Sequence, residues 1–292
     1  MSATDPQAAT SQVTEGFAAA ADRYDTTGTE FFTIMGEHLV AHTRVPAGAW
    51  VLDVGCGKGA VSFPAARAAG PFGQVTGIDL AAPMLAHARD HAARDHVSNV
   101  RFEEGHAEDP GWEPGSFDVV LAGNVIQFLA RPAHAVRRWR ALLTPPGRLG
   151  ISWSLAEDPR WRPVIAAFDT AMPAGQPGFA ATLRRPAFDS VEAMHGLLAG
   201  AGLRHPASVT HPVTMTYTGP AQWWAAAQSQ GPWAVAWRHI PAAALERARQ
   251  QAFALLEPLR AADGTLTRTL TFACTSARKT PGPAPSSISG DH

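Results

Sequence analysis

The sequence predicts an α/β, doubly wound fold on a mostly parallel sheet, and three observations carry that prediction. Trp50-Val51-Leu52-Asp53 is an apolar run ending in an acid, and glycines follow at alternate positions, Gly55, Gly57 and Gly59. An alanine-rich stretch, 60–69, reads as a helix, with Pro64 tolerable only near its first turn. A second apolar run, Gln74 to Ile78, ends in Asp79. Strand, glycine turn and helix bring backbone N–H groups close to a ligand at a helix N-terminus. An acid at the tip of the second strand of such a unit can accept both hydroxyls of a ribose.

The remaining elements follow in order. Val13, Phe17, Ala20, Ala21 and Tyr24 make an amphipathic helical pattern after a loose, polar 1–12. Gly28 interrupts it, and a second helix covers 30–43. Pro83 suits the first position of a helix reaching Asp95, with Met84, Leu85, Ala88 and Ala92 on its inner face. Strands follow at 99–104 and 117–124, then a helix at 132–143 bearing Ala135, Val136, Trp139 and Leu142. The turn Thr144-Pro145-Pro146-Gly147 leads into a fifth strand ending near Trp153. Helices at 161–172 and 190–201 precede 207–217, which reads as one or two short strands broken by Pro212. In the last strand, 266–274, Leu266, Leu270, Phe272 and Cys274 share a face. Arg268 falls on that same face, so the first half of the strand is expected to be exposed.

At 292 residues and 46% apolar content, the chain suffices for one large domain with an appended cap. A net charge of −1 provides no basic field for a phosphate backbone, which argues against nucleic acid as a partner. Cys56 and Cys274 lack metal-ligand spacing and read as reduced, small hydrophobes; no metal is expected. No stretch reaches the length of a membrane span, and residues 1–20 show no basic-then-apolar leader, so a cytoplasmic protein without membrane contact is expected. Enrichment in Ala, Pro and Arg points to a high-GC bacterial genome.

The glycine spacing separates two cofactor classes. Dinucleotide enzymes use G-x-G-x-x-G around a pyrophosphate. Here the third glycine comes one residue early, and Asp53 precedes the first by two. D-x-G-x-G-x-G resembles motif I of the class I S-adenosylmethionine-dependent methyltransferases, and the order of motifs over 45–155 resembles their small-molecule branch, typified by ubiquinone and menaquinone biosynthesis. That resemblance implies a seven-stranded, Rossmann-like sheet with N-terminal helices and a helical cap inserted near the C-terminus. It divides the chain into an N-terminal helical lid (1–44), a core (45–218 with 264–279), a substrate cap (219–263) and a disordered tail (280–292).

The resemblance also implies site roles with S-adenosylmethionine as cofactor. Gly55, Gly57 and Gly59 allow close approach of its methionine portion, and Asp53 orients that loop. Asp79 takes the ribose hydroxyls, and Leu80 and Met84 pack on the adenine. His106 and Ala107 stand where relatives carry Asp-Ala against the adenine amino group; Glu108 is the alternative acceptor there. Asn124, at the tip of the fourth strand, flanks the methyl donor, and Gln127 stands where relatives often carry histidine. Tyr24 and Gln127 are expected at the acceptor pocket, together with Trp223, Trp224, Trp233 and Trp237, four of nine tryptophans crowded into one insertion. Those indoles form a cap core, an aromatic-lined pocket, or both. No residue is assigned as catalytic; His211 and His239 are the candidates for a general base.

The expected activity is methyl transfer to a small, apolar or aromatic bacterial metabolite. Methylation of a prenylated quinone-type ring and a cofactor-binding relative without transferase activity are the alternatives. The acceptor, the atom methylated, and the choice between monomer and homo-oligomer stay open.

Overall fold

A computed structural model describes residues 6–25, 31–174, 188–229, 233 and 236–280. The tail expected to be disordered, from 281 onward, and Gly28 lie outside the described residues. The strands are β1 (Trp50–Val54), β2 (Gln74–Asp79), β3 (Val100–Glu104), β4 (Phe117–Gly123), β5 (Leu143–Glu157), β6 (Arg204–Tyr217) and β7 (Leu266–Arg278). They form one sheet in the order β3-β2-β1-β4-β5-β7-β6. The first five run parallel to one another, and β7 runs antiparallel to both β5 and β6. The strand order reverses between β1 and β4, which is where open α/β sheets bind their ligands.

The helices are α1 (Pro6–Ala20), α2 (Phe31–Thr43), α3 (Ser62–Ala69), α4 (Ala82–Arg94), α5 (Pro132–Leu142), α6 (Arg162–Asp169), α7 (Val191–Gly200), α8 (Pro220–Ser229) and α9 (Ala242–Leu256). Successive strand residues point to opposite faces. Val51, Val119 and Leu121 therefore join Leu39 of α2, Ala65 of α3 and Leu85 of α4 in one core. Leu52, Val120 and Ala122 join Trp139 of α5 and Leu198 of α7 in the other. Because both faces are covered, the central strands read as unbroken apolar runs rather than alternating ones.

Several expectations need correction. Residues 1–12 are not loose throughout, because α1 starts at Pro6, where a proline is already set for the first helical position. The segment 1–44 is not all lid. In α2, Phe31, Phe32, Met35, Leu39 and Val40 are buried against the sheet, and a Cβ at Gly36 would collide with the Ala60 carbonyl. Among the described residues of that segment, α1 and the turn after it line the cleft at the strand ends. The third change is in β6, which is one continuous strand: Pro212 pairs with Thr271 on an edge strand, whose outer side needs no ladder donor.

Arg268 is the largest departure. The first half of β7 is not exposed, and Arg268 is 2% exposed. Its Nε donates to Glu157 Oε1 at 2.9 Å and its Nη2 to Oε2 at 2.5 Å. The guanidinium also lies 5.6 Å from the ring centroids of both Trp161 and Trp233. A fork-shaped cation paired on its edge and stacked on its faces is tolerated inside a core where a period-two pattern allows only apolar residues.

The insertion forms a third core. Trp223, Trp233 and Trp237 are buried with Leu256 of α9, and Trp161, just before α6, and Val164 and Phe168 within it join them. Trp237 stacks on Phe168 at 4.3 Å and on Trp224 at 4.8 Å. The cap thus extends beyond 219–263 to include α6, because its indoles are covered only with that helix in place.

Removing one partner of a buried ion pair strands the other charge, at a cost of about 3–5 kcal/mol. Glu157→Leu is therefore expected to destabilise the protein by that order in denaturant unfolding, and Glu157→Leu with Arg268→Met to recover most of the loss. A single variant as stable as wild type would contradict the pairing.

Candidate active site

A cleft of about 800 Å³ opens at the carboxyl ends of the central strands. Its floor is the turn after β1, where Gly55, Gly57 and Gly59 have φ of +67°, +53° and +91°. The three glycines do different work. A Cβ at Gly57 would meet nothing within 4 Å, and Gly57 lines the cleft, so the missing side chain leaves room for a ligand against the backbone. Gly55 also lines the cleft, but a Cβ there would run into Val125. Gly59 is not on the cleft wall; a Cβ there would strike Phe63 and Phe102. Its place among the cofactor contacts is corrected to the close packing of α3 on the sheet.

Asp79 joins this turn to the next strand. Its Oδ2 accepts the Gly57 N–H at 2.9 Å and its Oδ1 the Ala81 N–H at 2.8 Å. Burial pushes the carboxyl above its ordinary range, and the N–H groups of Ala81, Gly57 and Leu80 pull it back. Leu80, Met84, His106 and Ala107 continue the wall beside it. His106 Nδ1 accepts the Glu108 N–H at 3.0 Å, so the neutral ring carries its proton on Nε2 and is a donor. Glu108 is committed elsewhere: its two oxygens accept from the Arg131 N–H at 2.7 Å and Nε at 2.9 Å.

Asp53 lies beneath the turn, fully buried, and does not line the cleft. Its Oδ2 accepts the Ser62 hydroxyl at 2.6 Å, and its Oδ1 has no partner. Burial pushes the carboxyl up to about 7; the Ser62 bond opposes that rise and the charge of Asp79 adds to it.

The roof is apolar. Thr10, Val13, Thr14 and Phe17 fall at i, i+3, i+4 and i+7 on α1 and line the cleft together. Tyr24, Phe128 and Leu129 complete the roof, with Phe17 edge-on to Phe128 at 5.2 Å and Tyr24 stacked on Phe32 at 5.0 Å. Polar contacts tie the roof down: Lys58 Nζ donates to the Tyr24 carbonyl at 3.0 Å, His87 meets Asp22 at 2.9 Å, and Arg238 meets Glu15 at 2.7 Å and the Gln12 carbonyl at 3.3 Å. Sequence reasoning missed Thr10, Val13, Val125 and Phe128. The α1 stripe carried the signal, but its first member, Thr10, fell in the stretch read as loose.

Other expected site residues lie elsewhere. Trp223, Trp224, Trp233 and Trp237 belong to the cap core, and none of them lines the cleft. His211 sits on the edge strand β6, its ring 3.8 Å from His38 and 5.2 Å from Phe272. Burial, followed by His38 and His42, lowers its pKa. Neither His211 nor the half-buried His239 lines the cleft, so neither is placed to act on a ligand there. Gln127 is buried behind the wall, against Asn124.

Fold and cleft together define a doubly wound protein with a nucleoside-type site lacking a pyrophosphate cradle. A methyltransferase-domain family profile matches residues 51–147. Nocamycin O-methyltransferase of Saccharothrix syringae is 38% identical over 61% of this chain and 68% of its own length. Aklanonic acid methyltransferase DauC of Streptomyces sp. (strain C5) is 39% identical over 48% of this chain and 64% of its own. Among solved structures, the 1,6-didemethyltoxoflavin-N1-methyltransferase of Burkholderia thailandensis with bound S-adenosylhomocysteine shares the fold, with a TM-score of 0.56 at 18% identity over 95% of this chain and 92% of that one. The chain belongs to the class I S-adenosylmethionine-dependent methyltransferases. The residues present fit that cofactor, with open space over Gly57, the Asp79 carboxylate beside it and the apolar pair Leu80 and Met84 next along the wall.

Two outcomes are expected. An acid raised from 3.8 to about 7 keeps a proton in the native state that the unfolded chain releases in that window, so its contribution to stability falls as pH rises through it. Asp53→Asn should therefore lose less stability than wild type between about pH 5 and about pH 7.5. Equal losses in denaturant titrations of the two proteins would contradict the shift. Trp237→Ala should cost about 3–5 kcal/mol of stability, as core aromatic truncations do, while calorimetric affinity for S-adenosylhomocysteine stays unchanged.

Proposed function

We propose that the protein transfers the methyl group of S-adenosylmethionine to an oxygen of a small, largely apolar metabolite lying between α1 and the Phe128 turn. The observation that carries this reading is the division of one cleft into a polar floor at Gly55, Gly57 and Asp79 and an apolar roof of Val13, Phe17, Phe128 and Leu129. The floor suits a nucleoside and an amino acid end; the roof suits the carbon skeleton of an acceptor. Oxygen is favoured by the relatives, one of which is an O-methyltransferase by name.

The sulfonium supplies a methyl carbon already activated for displacement. What the chain adds is alignment and the exclusion of water. Gly57 lets the backbone approach the ligand, and Asp79 offers its remaining lone pairs to the ribose hydroxyls while holding the turn. The α1 face covers the cleft; Arg238 holds α1 itself, and Lys58 and His87 hold the turn after it, so that both would stay over a bound acceptor. The tryptophan cap supports the far side as a packed body, and it holds α1 through Arg238.

Loss of charge-assisted bonds at Asp79 costs about 1.5–3 kcal/mol each, so Asp79→Ala should weaken S-adenosylhomocysteine binding at least ten-fold in calorimetry. Gly57→Val should abolish binding, because a β-branched residue would fill the cradle at a φ of +53° that it disfavours. Normal affinity in both variants would remove the cofactor from this cleft.

A further inference from the structure

Arginines gather at the amino end of the parallel strands, the end opposite the cleft. Arg148 of β5 pairs with Arg278 of β7, and Arg278 pairs with Arg204 of β6. Directly paired residues share a face of the sheet, so the three form a row across neighbouring strands. That face is the one α2 covers. Arg278 alternates with Phe272 and Cys274, which are buried in the core with α2, and a Cβ at Gly150, two residues from Arg148, would collide with Thr43. Arg44, just past the end of α2, brings a fourth arginine: Arg148 Nη1 donates to the Thr43 carbonyl at 3.3 Å and to the Arg44 carbonyl.

The row carries more positive charge than the fold uses. A basic side chain can satisfy the last carbonyls of a helix, and Arg148 does so for α2. Arg44, Arg204 and Arg278 are exposed, and among the described residues none of the four pairs with a carboxylate. Elsewhere arginines sit against acids, as Arg67 on Glu37, Arg138 on Asp109 and Arg249 on Glu246. Here the guanidinium groups repel one another: burial, then the charges of Arg278 and Arg44, push Arg148 below its ordinary range. Asp118, an acid at the same end of the sheet, accepts the Trp50 N–H at 2.9 Å and the Thr144 hydroxyl at 3.0 Å instead. A hollow of about 630 Å³ lined by Arg148, Asp118, Pro46 and Gly48 leaves room beside the row. Since the whole chain has a net charge of −1, this patch is a local field and not a bulk property.

We propose that Arg44, Arg148, Arg204 and Arg278 form a binding site for a linear oligophosphate, separate from the methyl-transfer cleft. Guanidinium forks match phosphoryl oxygens two at a time, and the bonds are charge-assisted. Neighbouring strands lie about 4.8 Å apart, so heads carried on three successive strands can share one chain of linked phosphoryl groups. Carboxylates on one side of an extended peptide recur only every ~6.6 Å, so an acidic peptide meets the row out of step. The site does not depend on the identity of the methyl acceptor.

Inorganic tripolyphosphate, titrated by calorimetry into the protein saturated with S-adenosylhomocysteine, tests the idea. It should bind, and more weakly as potassium chloride rises from about 50 to about 300 mM. Arg204→Gln with Arg278→Gln, at two exposed strand ends, should weaken binding by about ten-fold or more, while melting temperature and S-adenosylhomocysteine affinity stay as in wild type. Arg67→Gln, which removes an arginine already paired with Glu37, should leave tripolyphosphate affinity unchanged. Adenosine triphosphate should bind about as tightly as tripolyphosphate, because the row recognises the phosphate chain. If the double variant does not fold, Arg204→Gln on the edge strand decides by the same loss of affinity. Absence of tripolyphosphate binding, or wild-type affinity in the row variants, would overturn the proposal. So would an equal loss in Arg67→Gln, which would mean unspecific charge. Hexaglutamate binding as tightly as tripolyphosphate would assign the surface to an acidic protein instead, and binding of the nucleotide without tripolyphosphate would assign it to a nucleoside.

Discussion

The site depends on one carboxylate. Asp79 accepts the Gly57 N–H with one oxygen and the Ala81 N–H with the other, so a single side chain ties the turn after β1 to the start of α4. The turn has three residues at positive φ, and two backbone bonds assist the carboxylate: the Cys56 N–H donates to the Ile78 carbonyl at 2.9 Å and the Gly59 N–H to the Cys56 carbonyl at 2.8 Å. Without that carboxylate the glycines lose the constraint that makes them a cradle rather than a loop. The arrangement has an electrostatic cost, since burial raises the pKa of both Asp53 and Asp79, and the charge of Asp79 raises that of Asp53 further. Backbone N–H groups relieve Asp79, and only Ser62 relieves Asp53. The two acids of the motif therefore play different parts: the one on the cleft wall has backbone N–H groups that oppose the upward push of burial, and the one in the core is pushed up to about 7.

Around this centre the molecule is built from two independent packings. The sheet has apolar cores on both faces, and the cap has an aromatic core of its own, joined to the sheet through the Arg268–Glu157 pair where β7 leaves the cap. The cleft lies between the sheet and α1, not inside the cap. Tryptophans crowded in sequence thus describe how the cap is stabilised and say little about what the cleft accepts.

Much of this was legible from residue order. β1 to β4, α3, α4 and α5 fall where apolar runs, glycine turns and Pro83 or Pro132 place them, because a strand buried on both faces and a helix started by proline leave strong local signatures. The positions of Gly55, Gly57 and Asp79 were equally legible. What failed were judgements that depend on tertiary partners. Arg268 looked like a surface residue because Glu157, its counter-ion, is 111 positions away. Pro212 looked like a break because nothing local says that β6 is an edge. Gly59 looked like a ligand contact because its close neighbours, Phe63 and Phe102, come together only in the fold. The Gln127–Asn124 pair was named as two separate residues; their contact at 2.6 Å exists only in three dimensions.

The order of strands also bears on synthesis. β7 is the last of the described strands, yet it lies between β5 and β6, and among the described residues it is the only strand that β6 pairs with. While residues 266–278 are still within the ribosome, the parallel half of the sheet, β1 to β4, has its neighbours, but β5 offers an open edge and β6 has none to pair with. An unpaired edge of this kind invites association with other chains. Phe272 and Cys274 of β7 also help to bury α2. Helix α2, made early, therefore finishes its core only when β7, made much later, has joined the sheet, so one pairing step completes packing between segments more than 200 residues apart.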